Sequence, residues 1–395
     1  MMLSSSQIRV AILDDLEKSA EPLLSQATQL LSIQPRTITA VSCPRSPGGP
    51  AEFYSEADYW WPCSGPDGLP YVRRDGFSNP DNFSAHRELL ITFSEDFGTL
   101  VSAWELTRSS DYADKACEHL EAWFLTESTR MRPHLEYAQA VRGLCTGRDY
   151  GIVDTVHLIE VAVAIERLLA YSQFRGTVRV SVIDWFRSFL GWLVSHPYGK
   201  SERNRKNNHG TAWLAQVTAY ARLVGDTELV SKYVRRFKKK ILVTQVAEDG
   251  NLPLEVARTR PYNYFIFNME LMAAICQLDA GSNSDLWHYQ TETGQSMKRV
   301  FEFITPFLES FDQWPYEADV AGNEHWPCIH HSLLLAAVAF AEERYWKIWK
   351  ALKPPILTHE IRRNRVIRQP NLWIRPRKTT ALTARTEWPD RCHSQ

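Results

Sequence analysis

The chain has 395 residues, a length that suits one large domain or two average ones. Hydrophobic residues make up 44% and charged residues 23%, which is the balance of a globular protein, and the formal net charge is −1. A chain so nearly neutral has no global field to attract nucleic acid or a membrane surface, and it contains no run of roughly 18 apolar residues that would span a bilayer.

We predict that residues 1–40 form a helical extension. Acidic residues interrupt this segment where a signal peptide needs an unbroken apolar run, namely Asp14, Asp15, Glu17 and Glu21. The seven cysteines are scattered and none forms a C-x-x-C pair, so neither a zinc site nor a disulfide framework is indicated. The interrupted apolar run and the scattered cysteines both suit a reducing compartment inside the cell.

A long loop follows, from Pro44 to Asn82, which is rich in Pro, Gly, Ser and aromatic residues. Loops of this length are usually functional, and we predict that it forms a lid over the body of the protein. Within it, Tyr59, Trp60 and Trp61 fit two roles equally well. They could stack on sugar rings, or they could form a hydrophobic plug that holds the loop in place.

Helical periodicity then continues with almost no strand signals. The predicted helices cover residues 83–107, 112–124, 152–171, 180–193, 210–223, 228–246, 264–278, 297–308 and 330–352. Loops of alternating length favour paired helices over a simple up-and-down bundle. We therefore predict one all-α domain over residues 41–375. Stacking of the pairs into a ring does not follow from periodicity alone.

Basic residues cluster near the C-terminus. Such a run could bind a polyanion, but a solvated and partly disordered stretch is the commoner outcome, and we predict a basic, disordered tail over residues 376–395. The clustered residues are Arg362, Arg363, Arg365, Arg368, Arg375, Arg377 and Lys378.

The segment Asn207-Asn208-His209-Gly210 stands where a predicted helix begins. Asparagine is a good N-cap, so the plainer interpretation is a helix start with an incidental histidine. However, two asparagines followed by His and Gly exceed what capping requires. A helix N-terminus also favours a bound anion, such as a substrate carboxylate. We therefore take Asn208 and His209 as candidate catalytic residues.

A second segment, Arg258-Thr259-Arg260-Pro261, precedes Tyr264 at the start of another predicted helix. Arginine binds carboxylates in a bidentate fork. Tyrosine has an ordinary pKa of about 10 and needs tuning to act as a base, and a neighbouring cation such as Arg258 would lower that pKa. The alternative is a surface turn beside a core tyrosine.

Together, the two segments supply an amide, an imidazole, guanidinium groups and a phenol. These groups suffice to bind a sugar carboxylate, acidify the carbon beside it and move a proton. The chemistry calls for no metal and no organic cofactor, and the hypothesis is a carbohydrate lyase.

Two other polar clusters favour structural roles. Asp154, His157 and Glu160 follow at three-residue spacing, which drifts around a helix, so we expect them to support neighbouring residues rather than share one site. His330 and His331 are adjacent on a predicted helix and point apart, which argues against a metal site.

At these segments the sequence resembles the alginate lyase family of polysaccharide lyases. The resemblance runs from about residue 46 to residue 373, and its most specific block is Asn207 to Thr211. Arg258 to Pro261 with Tyr264 is the next most specific. Further blocks cover residues 53–62, 71–80, 129–131, 137–139 and 147–155.

The resemblance implies an (α/α) toroid with a deep cleft beneath a lid loop, and β-elimination at uronate residues. Asn208 and His209 would bind the sugar carboxylate and stabilise the charge that forms when C5 loses its proton. Arg258 would assist, and Tyr264 would move the proton between C5 and the leaving oxygen. Substrate contacts would come from Arg260, Gln139, Arg148, Tyr59 and Trp60.

No metal or cofactor is implied, and the expected partner is an acidic polysaccharide or oligosaccharide, bound by a monomer. Polymer lyases of this kind work in the periplasm or outside the cell. The chain departs from the well-studied alginate-cleaving branch in three ways. Residues 76–78 of the lid contain no lysine, Asn263 stands where that branch has a histidine, and a spacing one residue shorter leaves Arg258 and Arg260 unranked.

Two alternatives stay open. One is a helical glycoside hydrolase, which needs two carboxylates across the scissile bond, and Asp154 and Asp249 are the candidates for that pair. The other is a saccharide-binding protein that keeps the cleft without the chemistry. Retention of Asn208, His209 and Tyr264 together argues against it.

Overall fold

The computed structural model describes residues 3–174, 176–280, 282 and 284–376. This part of the chain is predominantly helical, which confirms the predicted all-α class. None of its helices is both long and apolar enough to cross a bilayer. The α-helices are α1 (Ser5–Lys18), α2 (Glu21–Leu30), α3 (Ala85–Thr107), α4 (Ser110–Leu120), α5 (Leu158–Leu168), α6 (Thr177–Ser195), α7 (Pro197–Glu202), α8 (Asn208–Leu223), α9 (Thr227–Arg236), α10 (Leu242–Gln245), α11 (Pro253–Val256), α12 (Pro261–Asp279), α13 (Met297–Glu309), α14 (Ser332–Phe340), α15 (Glu343–Ala351), α16 (His359–Arg363) and α17 (Pro370–Ile374).

The helices pack in two layers. In the inner layer α3 contacts α5, α5 contacts α8, α8 contacts α12, and α12 contacts α14. Residues on almost every face of α8 and α12 are buried, as expected for helices that lie inside a core. The outer helices α4, α6, α9, α13 and α15 each pack against one inner helix.

The N-terminal extension consists of α1 and α2. The side chains of Ser4 and Gln7 form a capping box at the start of α1. This helix packs against α14 and α17, and Ile8, Ile12 and Leu30 belong to the main hydrophobic core. The extension is therefore part of the same packed body as the helices that follow.

The long loop carries three short strands, β1 (Tyr54–Glu56), β2 (Trp60–Trp61) and β3 (Val72–Arg73). β1 runs parallel to β4 (Tyr137–Ala140), and β2 pairs with β3 in antiparallel fashion. The loop meets the segment before α12 at Gly76, whose φ is +82°. A Cβ at Gly76 would lie 2.6 Å from Oγ1 of Thr259, so only glycine permits this close approach.

The segment predicted as one helix over residues 330–352 is two helices, so that prediction is wrong. α14 ends at Phe340, and Ala341 adopts a left-handed φ of 55°. The reversal lets α14 and α15 pack against each other, which a continuous helix cannot do.

The prediction of a solvated basic run is wrong for its first part. Arg362 binds the carboxylate of Glu95, Arg368 donates to Nδ1 of His157 at 2.9 Å, and Arg375 pairs with Glu17. These partners lie hundreds of residues earlier in the chain, so local charge density gave no sign of them. Arg377, Lys378 and the residues that follow them lie outside the described residues.

Candidate active site

A cleft of about 510 Å³ gathers polar side chains from the lid, the loop after β4, the start of α8, the segment around α12 and the end of α16. All but one of the predicted site residues line it. The lining residues are Asp58, Tyr59, Trp60, Arg73, Arg87, Gln139, Arg148, Tyr150, Val153, Asp154, His157, Asn207, Asn208, His209, Arg258, Tyr264, Phe267, Arg363 and Asn364.

Asn208 is held in place by a buried carboxylate. Its backbone N–H and its side-chain amide donate to the two oxygens of Glu255, each over 2.6 Å, and Asn268 donates to the same carboxylate at 3.0 Å. Burial raises the pKa of Glu255 to about 6, against the opposing effect of these hydrogen bonds. The first N–H of α8, expected to face a substrate carboxylate, is thus already paired inside the protein.

His209 is oriented by Glu202, the last residue of α7. Nδ1 of His209 lies 2.5 Å from Oε1 of Glu202, and the glutamate side chain is fully buried. This contact makes Nδ1 the donor and leaves Nε2 as the ring nitrogen available to a substrate. The ring of Tyr150 packs edge-on against the imidazole, with centroids 4.8 Å apart.

Tyr264 lies between a cation and a second phenol. The guanidinium of Arg258 sits 4.1 Å from the centre of its ring, and its hydroxyl is 2.9 Å from that of Tyr59. Burial raises the pKa of Tyr264, while Arg258 and Arg363 oppose that rise without overcoming it. The expected lowering by Arg258 is present, but desolvation outweighs it.

The structure separates the two arginines that the sequence left unranked. Arg258 lines the cleft and forms an ion pair of 2.9 Å with Asp75 of the lid. Arg260 is buried away from the cleft, and its Nε donates to the carbonyl of Gly76 at 2.9 Å. Arg260 therefore holds the lid and does not reach the position expected of a substrate contact.

Arg148 is the cation best placed to meet an anion. Its Nε donates to the carbonyl of Gln139, and its Nη2 to Oε1 of the same residue, each over 3.1 Å. The guanidinium lies 5.5 Å from the ring centre of Trp60 and 4.7 Å from that of Tyr150. Burial lowers the pKa of Arg148 from its ordinary value. No carboxylate in the described part of the chain forms an ion pair with it.

The lid aromatic residues divide between their two possible roles. Tyr59 and Trp60 line the cleft, whereas Trp61 does not and donates through Nε1 to the carbonyl of Phe77 at 2.9 Å. The first two residues are thus available to a substrate, and the third holds the lid together.

The polar cluster around the start of α5, formed by Asp154, His157 and Glu160, supports the cleft. Asp154 accepts hydrogen bonds from Ser55 at 2.6 Å and from Gln139 at 2.9 Å. Glu160 accepts from the backbone N–H of Gln369 and from Trp373, each at 2.9 Å, and does not line the cleft. His157 accepts from Arg368, as described above.

A profile of the alginate lyase family matches residues 37–314. The chain belongs to the alginate lyase family. Family membership identifies it as a polysaccharide lyase.

Solved structures of alginate lyases share this fold. An alginate lyase from Bacteroides ovatus matches with a TM-score of 0.78 and 27% identity, over 95% of this chain and 100% of that chain. The apo form of a variant of alginate lyase A1-III matches with a TM-score of 0.55 and 15% identity, over 90% and 95% of the two chains. A tetrasaccharide complex of A1-III matches with a TM-score of 0.51 and 15% identity, over 79% and 83%. At this identity A1-III supports the fold alone. No curated protein matches the sequence.

The sequence did not identify one residue that lines the cleft of this alginate lyase family member, nor two that hold lining residues in place. Arg363 was assigned to the basic run, yet it lines the cleft and donates to the hydroxyl of Tyr59 at 2.6 Å. Glu202 and Glu255 stand in no motif, and only their contacts with His209 and Asn208 identify them. Asp249 belongs to a turn and does not line the cleft opposite Asp154.

Proposed function

We propose that this polysaccharide lyase cleaves an alginate-like, uronate-containing saccharide by metal-independent β-elimination. The observation that carries the proposal is that His209 and Tyr264 line one cleft with Arg148, a cation without a carboxylate partner among the described residues. A carboxylate-binding cation beside two proton-carrying side chains is what elimination next to a sugar carboxylate requires.

In the proposed reaction the substrate carboxylate binds the guanidinium of Arg148, which Gln139 and two aromatic rings hold in a fixed orientation. Asn208 and His209 stabilise the charge that develops on the carboxylate as C5 loses its proton. Because Glu255 and Glu202 fix these two side chains beforehand, little reorganisation accompanies the reaction.

Tyr264 is proposed to move the proton. It takes the proton from C5 and gives it to the leaving oxygen on C4, while the C4–O4 bond breaks and a C4=C5 double bond forms. Arg258 favours the phenolate form of Tyr264, whereas burial favours the protonated form. When Tyr264 enters the reaction protonated, it can only give its proton to O4, and Nε2 of His209 then takes the proton from C5 in its place.

We also propose that the two layers of helices form an (α/α) toroid. Inner helices follow one another from α3 to α14, and α17 contacts both α14 and α5. These contacts support closure of the inner layer into a ring, with the cleft at one end and the lid across it.

The test is the near-ultraviolet absorbance of the unsaturated product when the protein meets polymannuronate, polyguluronate, glucuronan and acidic glycosaminoglycans. A rise with one polymer, unchanged by a chelator, would support metal-independent elimination and identify the substrate. Tyr264→Phe and His209→Ala should each lose most of the rate. If both variants keep full activity, the proposed mechanism is wrong.

A saccharide-binding protein without catalysis is the alternative outcome. Calorimetric binding of a uronan with no product would support that alternative. The hydrolase alternative is not supported, because Asp249, one of its two candidate carboxylates, does not line the cleft with Asp154.

A further inference from the structure

The short antiparallel ribbon of the lid has two faces, and only one of them lies toward the cleft. Trp60 pairs with Arg73, and Trp61 pairs with Val72, across β2 and β3. Paired side chains share one face of a ribbon, and successive side chains alternate between the faces. Because Trp60 and Arg73 line the cleft, Trp61 and Val72 belong to the outer face.

The outer face carries an arginine as well as a tryptophan. The guanidinium of Arg74 lies 5.2 Å from the centre of the Trp61 ring. This distance exceeds the roughly 3.5–4.0 Å of direct contact, so the cation lies near the ring without covering it. Arg74 is exposed, and in the part of the chain that the structure describes it forms no ion pair.

Apolar surface surrounds this pair. The Trp61 ring is partly buried, and it packs in none of the hydrophobic clusters of the described residues. Its Nε1 donates to the carbonyl of Phe77, but that bond occupies only one edge of the indole. Val72 is 43% exposed and Phe77 is 50% exposed. Exposed apolar surface beside a cation is typical of a binding site, and a hydrogen-bonded brace does not require it.

The two faces of the ribbon repeat one receptor chemistry. On the inner face, the ring centre of Trp60 lies 5.5 Å from the guanidinium of Arg148, the cation proposed to receive the substrate carboxylate. On the outer face, Trp61 and Arg74 form the same pairing at nearly the same distance. An indole stacks on the apolar face of a sugar ring, and a guanidinium binds a carboxylate, so the outer pair also suits a uronate residue.

We propose that the outer face of the lid, formed by Trp61, Val72, Arg74 and Phe77, is a second binding surface for an acidic polysaccharide, outside the cleft and without catalysis of its own. The choice of a uronate ligand rests on the proposed function. Because the ribbon is a single layer, one part of a long chain can contact the outer face while another part occupies the cleft. An oligosaccharide that only fills the cleft cannot do so. The surface therefore favours long chains over short ones.

Arg74→Gln is the first test, because it removes the cation from an exposed position without breaking an ion pair. We expect KM for the cleaved polyuronate to rise roughly 3-fold to 10-fold, between the effects of an exposed ion pair and a charged hydrogen bond. The kcat value, and KM for the tetrasaccharide of the same uronate, should not change. Arg235→Gln is the matched control, since Arg235 is an exposed arginine of α9 that forms no ion pair among the described residues.

Val72→Lys makes the opposite change. It adds a cation to the outer face at an exposed strand position, where lysine is well tolerated, and KM for the polymer should fall by about 3-fold. A damaged lid cannot produce changes of opposite sign in the two variants, so that result would support the proposal. A KM for the polymer that neither variant changes would overturn it. Equal changes for polymer and tetrasaccharide would also overturn it, because they would come from the cleft.

Fluorine NMR of the protein labelled with 5-fluorotryptophan observes the two faces separately and without turnover. Trp60→Phe and Trp61→Phe identify the two signals, and polymannuronate, polyguluronate and glucuronan are the probes. A polymer that binds the outer face should move the Trp61 signal in the wild type and in Arg235→Gln, but not in Arg74→Gln. A Trp61 signal that still moves in Arg74→Gln would report movement of the lid alone and would contradict the proposal.

Failure of this proposal is distinguishable from failure of the proposed function. If Arg74→Gln abolishes the movement of the Trp61 signal in a protein that forms no unsaturated product, the outer surface is supported and the elimination is not. If product forms while no polymer moves the Trp61 signal, the outer surface is excluded and the elimination stands. If no polymer moves either tryptophan signal and no product forms, both proposals are wrong.

Discussion

Oε1 of Glu202 and Nδ1 of His209 lie 2.5 Å apart, across the junction between α7 and α8, and the glutamate side chain has no exposed surface. A carboxylate at this distance accepts a hydrogen bond from Nδ1, which fixes the ring and leaves Nε2 of His209 to accept a proton. This pairing explains how a histidine at the edge of a cleft is held ready for chemistry.

The pairing predicts the effect of Glu202→Gln. The amide can donate to Nδ1, which favours the opposite tautomer and removes the acceptor at Nε2, so kcat should fall about 10-fold to 100-fold. Steady-state rates of product absorbance, with unfolding followed by circular dichroism, measure this effect. Glu127→Gln makes the same chemical change at an exposed residue and should have no effect. If the two variants have equal kcat values, Glu202 has no role in the mechanism.

The raised pKa of Glu255 predicts a specific pH dependence of stability. Its pKa is about 6 in the fold against an ordinary value of 4.5, so the folded state binds the proton more tightly than the unfolded state. The stabilisation by this group is complete below pH 4.5 and is lost as the pH rises through 6. The loss is about 2 kcal/mol, since one pKa unit corresponds to about 1.4 kcal/mol.

Glu255→Gln should therefore remove this loss. The free energy of unfolding in urea, measured between about pH 4 and about pH 7, should fall less in the variant than in the wild type by about 2 kcal/mol. Other titrating groups contribute to both proteins and cancel in the comparison. Parallel curves for the two proteins would contradict the assignment.

The placement of Arg148 predicts a defect in substrate binding. Arg148→Gln removes the cation but keeps a side chain that can bond to Gln139, and KM for the active uronan should rise roughly 10-fold to 100-fold. The residual affinity should also depend less on salt concentration. Arg142→Gln is the matched control, because Arg142 lies 4.8 Å from the centre of the Tyr71 ring but does not line the cleft. A KM that both variants leave unchanged would exclude Arg148 as the carboxylate receptor.

The ion pair between Asp75 and Arg258 predicts how firmly the lid is held. Asp75 accepts from Arg258 and from Thr259, each over 2.9 Å. Asp75→Asn keeps the shape but loses the charge, so we expect faster proteolysis within residues 63–78 and a kcat reduced by roughly 3-fold to 10-fold. Asp81→Asn changes an exposed acid of the same loop and should leave both the cleavage rate and kcat unchanged. Equal cleavage rates in the two variants would show that Asp75 does not secure the lid.

The features that could be predicted from the sequence are those that short segments of the chain specify without their partners in the fold. Helix class follows from apolar spacing over ten to twenty residues, and the segments Asn207 to Thr211 and Arg258 to Tyr264 are short runs whose residue types are recognisable without their partners. Both segments line one cleft in the structure. The family was identifiable for the same reason.

Tertiary structure alone decided which charges meet. Arg363 and Tyr59 are 304 residues apart in sequence yet share a hydrogen bond of 2.6 Å, so the basic run that looked solvated contributes to the cleft. Arg258 and Arg260 are the same residue type and lie two residues apart. Only their surroundings in the fold make Arg260 bind the carbonyl of Gly76 and leave Arg258 lining the cleft.

The protonation of Tyr264 was decided in the same way. The sequence placed a cation beside this phenol, which by itself would lower its pKa. The loss of water around the hydroxyl depends on every segment that packs against it. This desolvation raises the pKa of Tyr264 more than the cation lowers it. Residue identity and spacing thus determined which groups are present, whereas folding determined their distances and their exposure to water, and those two quantities control the chemistry.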